Sequence, residues 1–165
     1  MFRSLINKAR SIADRLSFLA PALIRLTVGV LFIQTGWGKL HTLPDVTNYF
    51  AELGIPMPHF NAVLAASTEF FGGILILVGL GARLVALPMA FTMVVAIATA
   101  KRAELEGLSS LLGFEEWSYL VMFLVIALRG AGALSLDALL TRLFARHAAP
   151  LPAPVLAPRP TAVNA

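Results

Sequence analysis

Apolar and polar residues follow one another along this chain in long blocks. The first apolar block runs from about Leu19 to Leu40, broken only by Arg25, Thr27 and Gln34. Pro21 falls in its first turn, where a missing N–H does little harm. Gly36, Trp37, Gly38 and Lys39 close it. A second block, about Phe60 to Leu80, carries one charge, Glu69, close to its middle. The Gly79-Leu80-Gly81-Ala82-Arg83 reversal leads into a third, about Leu84 to Ala100, stopped by Lys101-Arg102. Pro88 inside it predicts a kink. A fourth begins at Trp117, is densely apolar to Leu128, and weakens through Arg129-Gly130-Ala131-Gly132-Ala133-Leu134. Blocks of this length predict membrane-crossing helices, because about 20 residues at about 1.5 Å each span a hydrocarbon core about 30 Å thick.

The segments between blocks are helical and two-faced. Phe2, Leu5, Ile6, Ala9, Ile12, Ala13 and Leu16 recur at spacings of three and four, with Arg3, Lys8, Arg10 and Arg15 among them. That pattern predicts a helix lying flat on an anionic leaflet. Pro44-Asp45 starts a short surface helix and Gly54-Ile55-Pro56 ends it, with Val46, Tyr49, Phe50 and Leu53 on one face. Residues 101–116, with Glu104, Glu106, Glu115 and Glu116, form an exposed loop or short surface helix. Ser135 can cap a last basic amphipathic helix, about Leu136 to Arg146, with Asp137 in its favourable first turn. Residues 148–165, rich in Ala and Pro, read as a disordered tail. The expected organisation is an interfacial arm (1–16), a four-span membrane domain (17–147) and the tail. Its class is all-α, a transmembrane four-helix bundle with amphipathic surface helices.

Composition excludes the alternatives. Hydrophobic residues make up 58% of the chain and charged residues 13%, half of the about 25% usual in soluble domains. A soluble enzyme, a disordered protein and a nucleic-acid-binding module are all ruled out. The absence of cysteine removes disulfides, thiolate metal sites and cysteine redox relays. The net charge of +4 reflects topology. An even number of spans puts Arg3, Lys8, Arg10, Arg15, Arg83, Arg129, Arg142, Arg146 and Arg159 on one side. Lys39, Lys101 and Arg102 fall on the other, with Asp45, Glu52, Glu104, Glu106, Glu115 and Glu116. The positive-inside rule then places both termini in the cytoplasm of a bacterial-type inner membrane. No small-residue cleavage site follows the basic N-terminal stretch, so it does not read as a signal peptide.

The candidate chemistry lies in charges that lipid penalises. A central Arg or Asp costs about 2.5 to 3.5 kcal/mol on insertion scales, so Arg25 and Glu69 should face the bundle interior. Arg25 would sit about 8 Å from one face and Glu69 about 14 Å from the other, leaving a vertical gap of about 8 Å, within arginine reach. An Arg25–Glu69 pair is therefore expected, with Gln34 as the next partner and Lys39 as a third if it reaches inward. Such a pair either clamps two helices or lines a polar pocket for a head group, a proton or a small polar ligand. In the second case Glu69 is the candidate catalytic proton acceptor, and Arg25, Gln34, Lys39 and Trp37 are the candidate ligand-binding residues. Gly29, Gly36, Gly72 and Gly73 are expected to allow close helix packing. Trp37, Trp117, Tyr49 and Tyr119 read best as an aromatic belt, the alternative being that some line a ring-binding slot. His41 and His59 lack a metal-binding spacing, and the methionines read as packing.

Three segments carry a family resemblance. Arg25 through Gly29, Phe32, Gly36 and Lys39-Leu40 form the first; Glu69-Phe-Phe-Gly72-Gly73 with Gly79 and Gly81 the second; Gly130-Ala-Gly132-Ala-Leu-Ser135-Leu136-Asp137 the third. Together with Gly54-Ile55-Pro56 they resemble the DoxX family of small four-helix membrane proteins, over roughly residues 20–140. The resemblance implies an inner-membrane bundle. It also implies a link to membrane redox assemblies, such as the membrane subunit of a thiosulfate:quinone oxidoreductase or complexes that include superoxide dismutase. The expected function is then a membrane subunit of a quinone-linked assembly, with no intrinsic cofactor, a quinone as ligand and electrons from a soluble or membrane partner. The missing cysteines argue against a thiol-to-quinone shuttle within this chain. The other readings are a non-catalytic membrane anchor or assembly protein, and a small proton-coupled carrier that would need homo-oligomerisation.

Overall fold

Helices account for every regular element among the described residues, which in this computed structural model are 2–147. The disordered tail expected at 148–165 lies outside them. Helix α1 (Phe2–Leu16) is the basic arm; α2 (Leu19–His41), α4 (Pro58–Val78) and α5 (Ala82–Thr99) are the three longest helices. Each of those three is long and apolar enough to cross a membrane. Surface helix α3 (Leu43–Glu52) links the first two, and a 3-10 turn (Arg102–Glu104) with α6 (Leu108–Gly113) follows α5. Helix α7 (Glu115–Arg129) completes the bundle and α8 (Leu136–His147) ends it. The four-helix bundle stands, but its fourth member has 15 residues, about 22 Å at about 1.5 Å per residue, short of the hydrocarbon thickness. Gly130 ends it in a positive-φ conformation (φ 82°).

The bundle is two helix pairs laid together. Helix α2 packs chiefly on α4, and α5 on α7. The α2–α4 seam is built on glycine. A methyl group on Gly36 would collide with the Phe70 backbone, and one on Gly73 would approach Ile33 N to 2.8 Å. One on Gly29 would meet Leu77 Cβ at 2.8 Å, and one on Gly72 would meet Met89 Sδ at 2.6 Å, on the side facing α5. All four glycines lie at helix contacts, Gly36 and Gly73 against backbone atoms and Gly72 against the Met89 side chain. Between the pairs sits an aliphatic and aromatic core that includes Val28, Phe32, Ile76, Met89, Phe123 and Ile126. Phe32 meets Phe123 and Tyr119 edge-on, with centroids 5.0 and 5.4 Å apart.

Helix ends follow the punctuation of the sequence. Gly79 (φ 72°) ends α4, its N–H donating to Leu75 and Ile76 carbonyls while Leu80 N donates to Leu75 O, a reversal that needs a left-handed residue. Gly54 (φ 71°) does the same after α3. Ser135 Oγ accepts from Ala138 N at 3.2 Å and so caps α8, as its position predicts.

Two ends of the bundle result. The terminal end gathers the start of α2, the α4–α5 turn and the segment after α7. The far end gathers α3, α6 and the start of α7. There Lys101 donates to Glu104 at 3.2 Å, a bond that raises the lysine pKa.

Candidate functional site

Glu69 is the acid the structure buries most deeply, 3% exposed on α4. Its partner is not Arg25. Lys39 Nζ lies 2.5 Å from Glu69 Oε1, so the third-ranked partner is the one that pairs. The lysine stem reaches inward from the far end of α2, leaving its side chain 35% exposed against 4% for that of Glu69. A flexible four-carbon stem can cross the height difference, as snorkelling side chains do in the other direction. The second carboxylate oxygen, Glu69 Oε2, is buried without a hydrogen-bond partner.

Arg25 belongs to a different cluster, at the terminal end. It is 4% exposed, and its Nη2 donates to Leu134 O. Its guanidinium occupies the space that a side chain on Gly79 would fill. Asp137 acts on it electrostatically without a direct bond, and the arginine's Nε and Nη1 are buried with no hydrogen-bond partner. The same carboxylate accepts from Gly81 N (2.9 Å) and Ala82 N (3.4 Å), capping α5. The expected Arg25–Glu69 pair is therefore corrected: the guanidinium turns toward the segment after α7, where the Leu134 carbonyl accepts from it. The residues of the third resemblance segment do the tying here, for Gly132 packs where a methyl would touch Pro21.

A cavity of about 650 Å³ opens beside Glu69. Phe32, Thr35 and Lys39 of α2 form one wall, Tyr49 and Phe50 of α3 its roof, and Glu116 and Tyr119 of α7 its far corner. Leu64 of α4 and Phe91 of α5, 51% and 66% exposed, flank its mouth. The cavity lining thus reaches the outer surface of the bundle at α4 and α5, and at Tyr49 of α3, 48% exposed. Most polar residues of the wall are already satisfied. Thr35, Thr92 and Thr99 donate to Phe32, Met89 and Val95 carbonyls of their own helices. Asn61 Nδ2 donates to Pro56 O at 2.6 Å. Glu116 Oε2, by contrast, is buried with no partner.

Of the expected ligand-binding residues, only Lys39 lines this cavity, together with Glu69. Gln34 lies on the exposed side of α2, because the buried face is Arg25, Val28, Gly29, Phe32 and Gly36. Trp37 is 54% exposed and packs outside, its ring 5.5 Å from Phe70 and 4.2 Å from His41. It lies outside the cavity, whereas Tyr49 and Tyr119 line it. Glu116, read as part of an exposed loop, was missed. Its signal was the Glu116, Tyr119, Phe123 spacing of three and four, which puts all three on the inward face of α7. His41 Nδ1 lies 2.9 Å from Trp37 O, and His59 Nδ1 3.4 Å from Thr47 Oγ1. Each is engaged locally, and no group of three metal-ligating side chains occurs among the described residues.

The DoxX family profile matches residues 20–102. Over 119 residues the chain is 34% identical to the inner membrane protein YqjF of Escherichia coli, covering 72% of this chain and 89% of that one. It is 32% identical over 121 residues to a Bacillus subtilis protein named "Putative oxidoreductase CatD", covering 72% and 85%. A third relative, the Escherichia coli inner membrane protein YphA, is 31% identical over 118 residues, covering 68% and 84%. No solved structure gives a significant match.

Proposed function

This chain belongs to the DoxX family and is an integral membrane protein, and from that premise we propose that it serves as the membrane subunit of a quinone-linked redox assembly, holding the quinone in the cavity beside Glu69. The observation that carries the reading is one buried carboxylate, half paired, on the wall of a largely apolar cavity. Ligand pockets of roughly 300–1,000 Å³ with apolar walls and a few convergent polar groups suit a ring with an apolar tail. A quinone supplies the two-electron capacity that none of these side chains has. Lys39 orients the head group by donating to one of its oxygens. Glu69 holds or takes up a proton at Oε2 as the head group changes charge. The walls from Leu64, Phe91 and Phe50 keep water away and receive the start of the tail. Electrons come from a soluble or membrane partner subunit. The relative named as an oxidoreductase supports this direction.

The chain then sits in an inner membrane with both termini in the cytoplasm, as the clustering of Arg83, Arg129 and Arg142 at the terminal end supports. A reporter fused to the C-terminus should be active only in a cytoplasmic form. The functional reading is tested by a thermal shift of the purified protein with a short-tailed benzoquinone. Stabilisation should be saturable and weakened in Glu69→Gln; no shift in the wild-type protein contradicts the proposal.

A further inference from the structure

We propose that Arg83 and Arg129 bind the phosphate of an anionic phospholipid against the outer face of the α5–α7 pair, at the terminal end of the bundle. The inference is independent of the cavity beside Glu69, whose lining belongs to the other half of the molecule.

Helix lengths set up the problem. Helices α2 and α4 have 23 and 21 residues, about 34 and 31 Å, enough for a hydrocarbon core of about 30 Å. Helix α5 has 18 residues and α7 has 15, about 27 and 22 Å. The chain does not lengthen the α7 column beyond Arg129. Gly130 and Gly132 (φ 82° and 78°) turn it back, and Ala131 between them is buried. This side of the bundle is therefore thinner than the bilayer, and a charge at its end lies close to the hydrocarbon boundary.

The charges there are two arginines. Arg83 lies in the first turn of α5 and Arg129 is the last residue of α7. Both are exposed. They meet at one junction, since Arg83 Nη2 donates to Arg129 O at 3.4 Å. No acid neutralises them. The ion pairs among the described residues are Lys39–Glu69 and Lys101–Glu104, and Asp137 is spent on the Gly81 and Ala82 amides. Two cations at one helix junction without a counter-ion repel each other, and an anion relieves that. Guanidinium forks match the oxygens of a phosphate.

The surroundings make that phosphate a lipid's. Leu84 and Leu128, 75% and 79% exposed, adjoin the arginines in sequence, and the exposed Leu87 and Leu124 follow one turn deeper. Exposed leucines alone are ordinary lipid contacts in a membrane. Beside two unpaired arginines they offer acyl chains an apolar bed under a cationic headgroup site. A zwitterionic headgroup brings its own ammonium, which competes for the same phosphate; an anionic one does not.

The test titrates the full chain, purified in neutral detergent and stripped of lipid, with phosphatidylglycerol and with phosphatidylcholine of the same acyl chains. Native mass spectrometry counts the bound lipid. The expected result is one phosphatidylglycerol held roughly tenfold more tightly than phosphatidylcholine. With Arg83→Gln and Arg129→Gln together the preference should fall to about threefold or less. Arg142→Gln, which removes another exposed arginine, should keep it. Circular dichroism melting establishes that each variant is folded. If the double variant is not, the single variants decide, each with an expected loss of about threefold. Equal affinity for the two lipids overturns the inference. So does a preference that survives the double variant, or that Arg142→Gln lowers as much, since it would then belong to the net charge of this end and not to the pair. Inorganic phosphate at millimolar concentration should not displace the lipid; displacement overturns the assignment to a lipid.

Discussion

Removing Lys39 tests the architecture of the site before any ligand is known. In Lys39→Met the ammonium 2.5 Å from Glu69 is lost, and a carboxylate 3% exposed must lose its charge or seek water. Breaking a fully buried pair costs about 3–5 kcal/mol. Here the lysine side chain is about one-third exposed, so solvent screening lowers the expected cost to roughly 1–3 kcal/mol. A double-mutant cycle isolates the pair: Lys39→Met, Glu69→Gln and the double variant, unfolded by titrating denaturing detergent and followed by circular dichroism. Coupling of about 1–3 kcal/mol is expected, because Lys39→Met should cost much less once Glu69 is neutral. The parallel cycle with Arg25→Met and Glu69→Gln should be additive within about 0.5 kcal/mol, as for side chains that share no partner. If Arg25 proved more strongly coupled to Glu69 than Lys39 is, the geometry described above would be refuted.

Two further predictions concern the scaffold. Gly36→Ala should destabilise by roughly 1–3 kcal/mol through collision with Phe70, whereas Gly38→Ala, with no atom within 4 Å of the added methyl, should be neutral or stabilise by up to about 1 kcal/mol through helix propensity; the same detergent titration compares them. Asp137→Ala removes the cap from the Gly81 and Ala82 amides and leaves Arg25 without its nearby carboxylate, so a loss of about 1–2 kcal/mol or more is expected, read as a lower melting temperature that Asp137→Asn should partly restore.

The helices were legible because each is marked twice, by the period of its apolar residues and by the residue that stops it. Leu19 and Gly79 sit where hydropathy and left-handed backbone agree with the observed start of α2 and end of α4. Glu69 stood out for the same kind of reason, a lone acid in an apolar block. What the sequence did not show was rotation and reach. Depth arithmetic set Arg25 and Glu69 within range of each other. It said nothing of Leu134 O, which arrives from more than a hundred residues later and accepts from the guanidinium. Lys39 was discounted because its Cα lies near the end of its helix, yet its stem carries the charge inward. Gln34 shows the opposite lesson, since its offset from Phe32 and Gly36 already placed it on the outer side of α2. Glu116 is acidic and follows a loop, so composition hid it, while its spacing to Tyr119 and Phe123 revealed the inward face.

The account depends most on the cavity being a place where a ring with an apolar tail resides. Mass spectrometry of what remains bound after gentle detergent extraction addresses that directly, with Ala96→Trp, a substitution on the cavity wall, as the comparison. The account predicts a tailed ring compound retained in near-equal amount to the wild-type chain and absent from the folded variant. Identical phospholipid, and nothing else, in both preparations would contradict it.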